Sequence, residues 1–270
     1  VIESAEQAKK NSVYLNALKE LLYQLADDDF IISFRGSEWL GLAPHIEEDV
    51  AFSSITQNTM GHAAMYYHLL EDLGEGEADA IAHDRKPEDR RNGIYLEKRN
   101  GEGTYLEEPY YDWALAVVRN YFYESFKKVK LEAIAESCSY KPLVQIVNKV
   151  LMEQTYHLAH WKLWVSQLQQ APKDAKERIE NRVEEAWDEF GDVLQLGKYA
   201  NEMVEQQLMI SEDKLKEMWT KEISSVLVSY PEKPLGNKYG SGREGDHTAD
   251  LDQAIKTFSE VYFSDKEAVW

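Results

Sequence analysis

Cysteine is almost absent. Cys138 stands alone among 270 residues, which excludes an internal disulfide and fits a reducing compartment. No cluster of cations that would stabilise a thiolate is recognisable around it, so it reads as a small apolar residue at a helix end. Basic residues are also in deficit, 30 against 49 acidic ones, for a formal charge of −19. A protein that neutralises phosphates needs the opposite balance, so nucleic acid and anionic membrane are poor partners. No apolar run approaches the roughly 18 residues of a membrane span. The opening turns carry Glu3, Glu6, Lys9 and Lys10 where a secretory signal would place an apolar run. The expectation is a cytoplasmic protein. Also missing are a Ser-His-Asp arrangement, a P-loop and a dinucleotide fingerprint, so nucleophilic hydrolysis and nucleotide chemistry have no support. No stretch reads as a convincing strand.

What is present is helical periodicity in a chain that is 43% apolar, ample for a buried core. The expected fold class is all-α, one domain over 1–270, with a core bundle at about 12–170 and peripheral helices at about 171–270. The first helix begins at Ser12 as N-cap and carries Leu15, Leu18, Leu22 and Leu25 on one face, continuing through Ile31 and Phe34. Gly41 and Pro44 bracket a turn. A second helix covers 46–73, with Glu47, Glu48 and Asp49 complementing the dipole at its start. A second pair, 110–137 and 141–170, repeats the plan. Between the pairs, residues 74–109 are broken by glycine and proline and read as a long crossover. The third helix is too aromatic for a thin stripe and must be buried on most sides, with Lys127, Lys128 and Lys130 as a solvent-facing edge. Trp161 and Trp164 belong to core or interface. Residues 231–247 have the composition of a mobile loop.

The polar residues inside the pairs fall at nearly equal separations, Asp28 to Asn58 and Glu124 to Glu153. Four-helix di-metal carboxylate proteins place a Glu on each of two helices and Glu-x-x-His on the other two. Here the corresponding stretches are Asn58-Thr59-Met60-Gly61-His62 and Glu153-Gln154-Thr155-Tyr156-His157. Gly61 and Tyr156 occupy the histidine places, and His62 and His157 come one residue later, about 100° further round the helix. The frame of a metal site is present with its ligand set broken. Within Asp27-Asp28-Asp29, Asp28 is the interior candidate because of its spacing to Asn58.

The run from Arg35-Gly36-Ser37-Glu38-Trp39 through Gly41-Leu42-Ala43-Pro44 to Asp49 resembles the signature of the phenylacetic acid degradation protein C family. The segments Tyr95-Leu96-Glu97 with Asn100-Gly101, Tyr156-His157-Leu158, and Gly245-Asp246-His247-Thr248-Ala249-Asp250-Leu251 are similar to it as well, and the likeness runs from about Tyr14 to Trp270. The resemblance implies a ferritin-like four-helix bundle with a long crossover. It also implies a non-catalytic structural subunit of the multicomponent oxygenase that epoxidises phenylacetyl-coenzyme A. The di-iron centre would belong to a catalytic ferritin-like partner, with no cofactor in this chain, and phenylacetyl-CoA would be met only through the complex. The family leads one to expect Gln where this chain has His62. Self-association stays open. Two other readings stay open beside this one. The first is an oxidase in its own right, with one iron or zinc held by Asn58, His62, Glu153 and His157 together with Asp28 and Glu124. The second is an independent ferritin-like storage or stress protein.

Overall fold

Asn11, one residue before the expected cap, starts the first long helix. Its side-chain oxygen accepts from the backbone N–H groups of Val13 and Tyr14 at 3.0 and 3.2 Å, satisfying two donors that a helix start leaves orphaned. The computed structural model describes residues 1–104 and 106–268; Val269 and Trp270, where the family likeness ends, lie outside them. After a short α1 (Ala5–Ala8), the capped helix α2 (Ser12–Ser37) is followed by α3 (Ile46–Asp72). Gly41 turns the chain between them at φ +79°, a conformation open to glycine without steric cost. His45 caps α3, its Nδ1 accepting from Glu48 N at 3.2 Å, so Pro44 precedes the helix and does not sit in its first turn. The two helices cross closely at Gly36, where a Cβ would stand 2.5 Å from Thr56 Oγ1.

The crossover holds α4 (Ala78–His83), α5 (Ile94–Glu97) and a hairpin of β1 (Gly101–Thr104) with β2 (Glu107–Tyr111). The hairpin corrects two expectations, that no strand exists and that the third long helix starts at 110. Tyr110 pairs with Glu102 across the hairpin, and the helix begins only after Asp112, whose Oδ1 accepts from Ala114 N at 2.9 Å. Strands of four and five residues are too short to show a period of two, and Pro109 argues against strand.

There follow α6 (Trp113–Ser137), α7 (Lys141–Gln169), α8 (Lys173–Glu189), α9 (Ala200–Glu205), α10 (Glu212–Ser224), α11 (Ala249–Phe258) and α12 (Glu260–Ser264). α2 packs along α3, α6 along α7, and α3 touches α7, so two helix pairs form one bundle; α8 and α10 lie on α6. The all-α reading holds. α6 is buried at every position from 114 to 127, and Trp161 is core, its ring set edge-on to Phe52 at 4.9 Å. The basic edge expected on α6 is not one. Lys127 and Lys130 are buried, and burial pushes the Lys130 ammonium down to about 7. Cys138 follows α6, and burial pushes its thiol up to about 11. No helix among the described residues is long and apolar enough to cross a membrane.

Residues 231–247 are pinned, contrary to their loop-like composition. Gly236 N donates to Trp187 O at 2.8 Å, and Gly236 O accepts from Gly191 N at 2.9 Å. Arg243 is fully buried and donates to both oxygens of Asp28 at 2.8 Å and to Val193 O at 2.7 Å. Next to it, His247 Nδ1 lies 2.8 Å from Glu97 Oε2 and Nε2 lies 3.1 Å from Arg90 O. Both partners accept, so both ring nitrogens carry protons. Burial opposes that charge, and Glu97 with the Arg90 carbonyl outweighs it, lifting the His247 pKa above its ordinary value.

Two outcomes are expected. Arg243→Ala leaves Asp28 buried and unpaired and should lower unfolding free energy in urea by about 3–5 kcal/mol. The His247 contribution should be complete below the unfolded value of about 6.5 and vanish as pH rises through the raised folded value. A pH series of urea denaturation should show that loss in the wild type and lack it in His247→Gln.

Candidate functional site

Three consecutive carboxylates on α2 are all buried. Successive residues turn about 100° round a helix, so Asp27, Asp28 and Asp29 face three different neighbours. Asp27 accepts from Tyr67 Oη at 2.7 Å, Arg91 N at 2.8 Å and the Arg85 guanidinium at 3.0 Å. Burial pushes its carboxyl up, and Arg85 outweighs this and holds it below the usual range. Asp28 is clamped by Arg243 and by Gly93 N at 2.8 Å. Asp29 alone faces the second helix pair. It accepts from Lys127 Nζ at 2.8 and 2.9 Å and from Tyr123 Oη at 2.6 Å, while burial pushes its carboxyl up to about 6.

Around Lys127 a polar cluster fills the middle of the bundle. Lys127 Nζ is 3.0 Å from His62 Nδ1, and His62 Nε2 is 2.7 Å from Glu153 Oε2. Asn58 Nδ2 is 3.3 Å from His157 Nε2, and His157 Nδ1 is 3.5 Å from Glu124 Oε1. Gln154 Nε2 donates to Glu124 O at 2.8 Å and to its carboxylate at 3.1 Å. Of the residues singled out from sequence, Asn58, His62, Glu124, Glu153 and His157 therefore come together. Asp28, Gly61 and Tyr156 do not. Asp28 is turned to Arg243, Gly61 is exposed on α3, and Tyr156 is 77% exposed on α7.

This placement corrects the expected register by one residue. The histidines are the inward residues, and the positions three before them are Thr59 and Gln154, both buried. Asp29 to Thr59 and Glu124 to Gln154 are then both 30 positions apart. The unequal spacings found for Asp28 and Glu153 were the available signal. Asp29, Lys127, Thr59 and Gln154 were missed because Lys127 reads as surface and the other three lie beside residues of more suggestive type.

The cluster fixes its own protons. An ammonium only donates and an amide NH2 only donates, so His62 accepts on Nδ1 from Lys127, and His157 accepts on Nε2 from Asn58. His62 therefore directs Nε2–H at Glu153, while the His157 Nδ1–H, 3.5 Å from Glu124 Oε1, is buried without a hydrogen-bond partner. Burial, Lys127 and His157 all depress the His62 pKa, keeping the ring neutral. Burial pushes the Glu124 carboxyl up, but His157 and Lys127 outweigh it and hold it low. Each imidazole lone pair is thus already occupied, Asp29 is neutralised by Lys127, and Thr59 and Gln154 supply no negative charge. This donor set does not fit a metal ion. Among the described residues no group of three or more His, Cys, Asp or Glu side chains is arranged to hold one. Clefts of about 560 and 410 Å³ open elsewhere, one lined by Trp187, Tyr230 and Leu235 and the other by Tyr23, Arg85 and Arg91.

Three of the four stretches that carry the family likeness meet in a second polar knot. Arg35 pairs with Glu38 at 3.0 Å and donates to Glu97 O at 2.8 Å and Asp250 O at 3.1 Å. Asn100 donates to Arg35 O and Glu38, and accepts from Trp39 Nε1 at 2.9 Å. These residues join α2, the crossover and the C-terminal segment.

The family described as phenylacetic acid catabolic protein matches residues 2–270 of the chain. Among curated proteins, the chain is similar to a subunit of the 1,2-phenylacetyl-CoA epoxidase of Escherichia coli (strain K12). The two are 23% identical over 242 residues, 88% of this chain and 92% of that protein.

Lys127→Met, which removes the ammonium and keeps the stem, should destabilise the fold by about 3–5 kcal/mol by stranding Asp29. The double variant Lys127→Met with Asp29→Asn should recover most of that loss in urea denaturation.

Proposed function

The chain belongs to the phenylacetic acid catabolic protein family, and from that premise we propose that it is a non-catalytic structural subunit of a phenylacetyl-CoA oxygenase. In this reading it pairs with a ferritin-like di-iron catalytic subunit in aerobic phenylacetate breakdown. The observation that carries the reading is the Lys127 ammonium, set between Asp29 and His62 at 2.8 to 3.0 Å. It is a positive charge supplied by the chain itself, placed among the inward residues of four helices where di-metal carboxylate proteins gather their ligands. Supporting it are the neutral residues Thr59 and Gln154 three positions before each inward histidine.

No oxygen chemistry is assigned to these residues. Their work is to satisfy one another in the interior, since buried polar groups left unpaired cost free energy. The hydrogen bonds and ion pairs of the cluster join α2, α3, α6 and α7 in one arrangement. That rigid bundle is what a partner can be built against.

The test loads the purified chain with ferrous iron under anaerobic conditions, desalts it and measures metal by mass spectrometry. The expected result is far less than one equivalent, together with phenylacetyl-CoA turnover by the catalytic subunit and its reductase only when this chain is present. Close to one equivalent of iron, lost in His62→Ala, would overturn the reading in favour of a metal-binding oxidase.

A further inference from the structure

The middle of α3 and the C-terminal two thirds of α7 carry almost no charge on their outer surfaces. Charged residues make up 29% of the chain, and on α8 every exposed position except Asn181 is charged. On α3 there is no Asp, Glu, Lys or Arg from position 50 to 70, about 30 Å of helix, although Val50, Gly61 and Ala64 are exposed there. On α7 the only such residues between 149 and 169 are Lys149, Glu153 and Lys162, of which Lys149 is exposed at one end of the stretch. Glu153 turns inward to His62, and Lys162 turns sideways to Glu222 at 2.6 Å. Exposed beside them are Met152, Tyr156 and Leu163.

The two surfaces are continuous. His160 Nε2 and Trp164 Nε1 on α7 both bond Glu48 on α3, at 2.9 and 2.7 Å, and Asn58 meets His157 further along. An exposed face this long without charge, on a chain this acidic, has the composition of an interface core. Its rim is acidic at both ends of α3, with Glu47 at the start and Glu71 and Asp72 at the finish, against the exposed cation Lys149 on α7.

We propose that the α3–α7 face is the docking surface for the partner subunit. That partner is an unlike helical chain presenting an apolar helix face, with Lys or Arg opposite the acidic ends. The inference rests on the reading of this protein as one subunit of a larger oxygenase. A second copy of this chain fits worse. In a two-fold pair with α3 running antiparallel on itself, Glu47 of one copy would face Glu71 and Asp72 of the other, and like charges set opposite each other across an interface disfavour it. Docking would cover Glu153, whose side chain is 40% exposed, and so close the outer edge of the buried cluster.

The experiment measures association of the full chain with the di-iron catalytic subunit from the same source, by sedimentation velocity and calorimetry. Nothing lies within 4 Å of where a Cβ on Gly61 would stand, so Gly61→Arg should fold normally, as should Tyr156→Glu on the exposed face of α7. Glu177→Lys on α8 serves as the control. Expected is wild-type binding by the control and about 100-fold weaker binding by both face variants, the loss typical of an unpaired charge at the centre of an interface. Thermal unfolding should be unchanged in all three. Equal binding by every variant overturns the proposed face and leaves the proposed function standing. A wild-type chain that stays monomeric and does not bind overturns both. A wild-type homodimer abolished by Gly61→Arg, without binding to the catalytic subunit, assigns the face to a second copy and overturns the proposed occupant.

Discussion

Three adjacent carboxylates on one buried helix each demand a cation, and no two can share one because each points about 100° away from the last. The rest of the chain is arranged to meet that demand. Arg85 comes from the crossover, Arg243 from the C-terminal segment and Lys127 from the second helix pair. A buried ion pair adds little net stability over well-packed apolar groups, whereas stranding one member costs several kcal/mol. The three pairs therefore act less as glue than as a constraint on position. Each ties α2 to a segment at least 58 residues distant in sequence.

The same logic orders the polar cluster. Its donors fall into one pattern of protons, with the His157 Nδ1–H alone short of a hydrogen bond. Lys127 sets the tautomer of His62, Asn58 that of His157, and Gln154 spans the backbone and side chain of Glu124. An enzyme that binds metal or substrate keeps a position open. This interior has closed its positions with its own side chains, and its outward face at α3 and α7 is the part left unsatisfied.

The four long helices, their pairing and the crossover were legible because each helix is long and periodic and the breaks between them carry Gly41, Pro44 and the glycines and prolines of 74–109. The interior positions were legible only to within one residue. Apolar periodicity averages over several turns, so it places a helix face well and a single polar side chain poorly. Asp28 and Asp29 are identical residues side by side, and only their distant partners, Arg243 and Lys127, distinguish them. Arg243 was hidden for the same reason: a glycine-rich, charged stretch looks unstructured until the one carboxylate that holds it is known. The hairpin of β1 and β2 was simply too short to leave a pattern.

The cation at the centre of the bundle is part of the polypeptide. A bundle closed by metal folds to an extent set by how much metal the cell can supply, but Lys127 is present at one per chain from the moment of synthesis. On the function proposed above, the folded population of this protein is thereby uncoupled from iron supply.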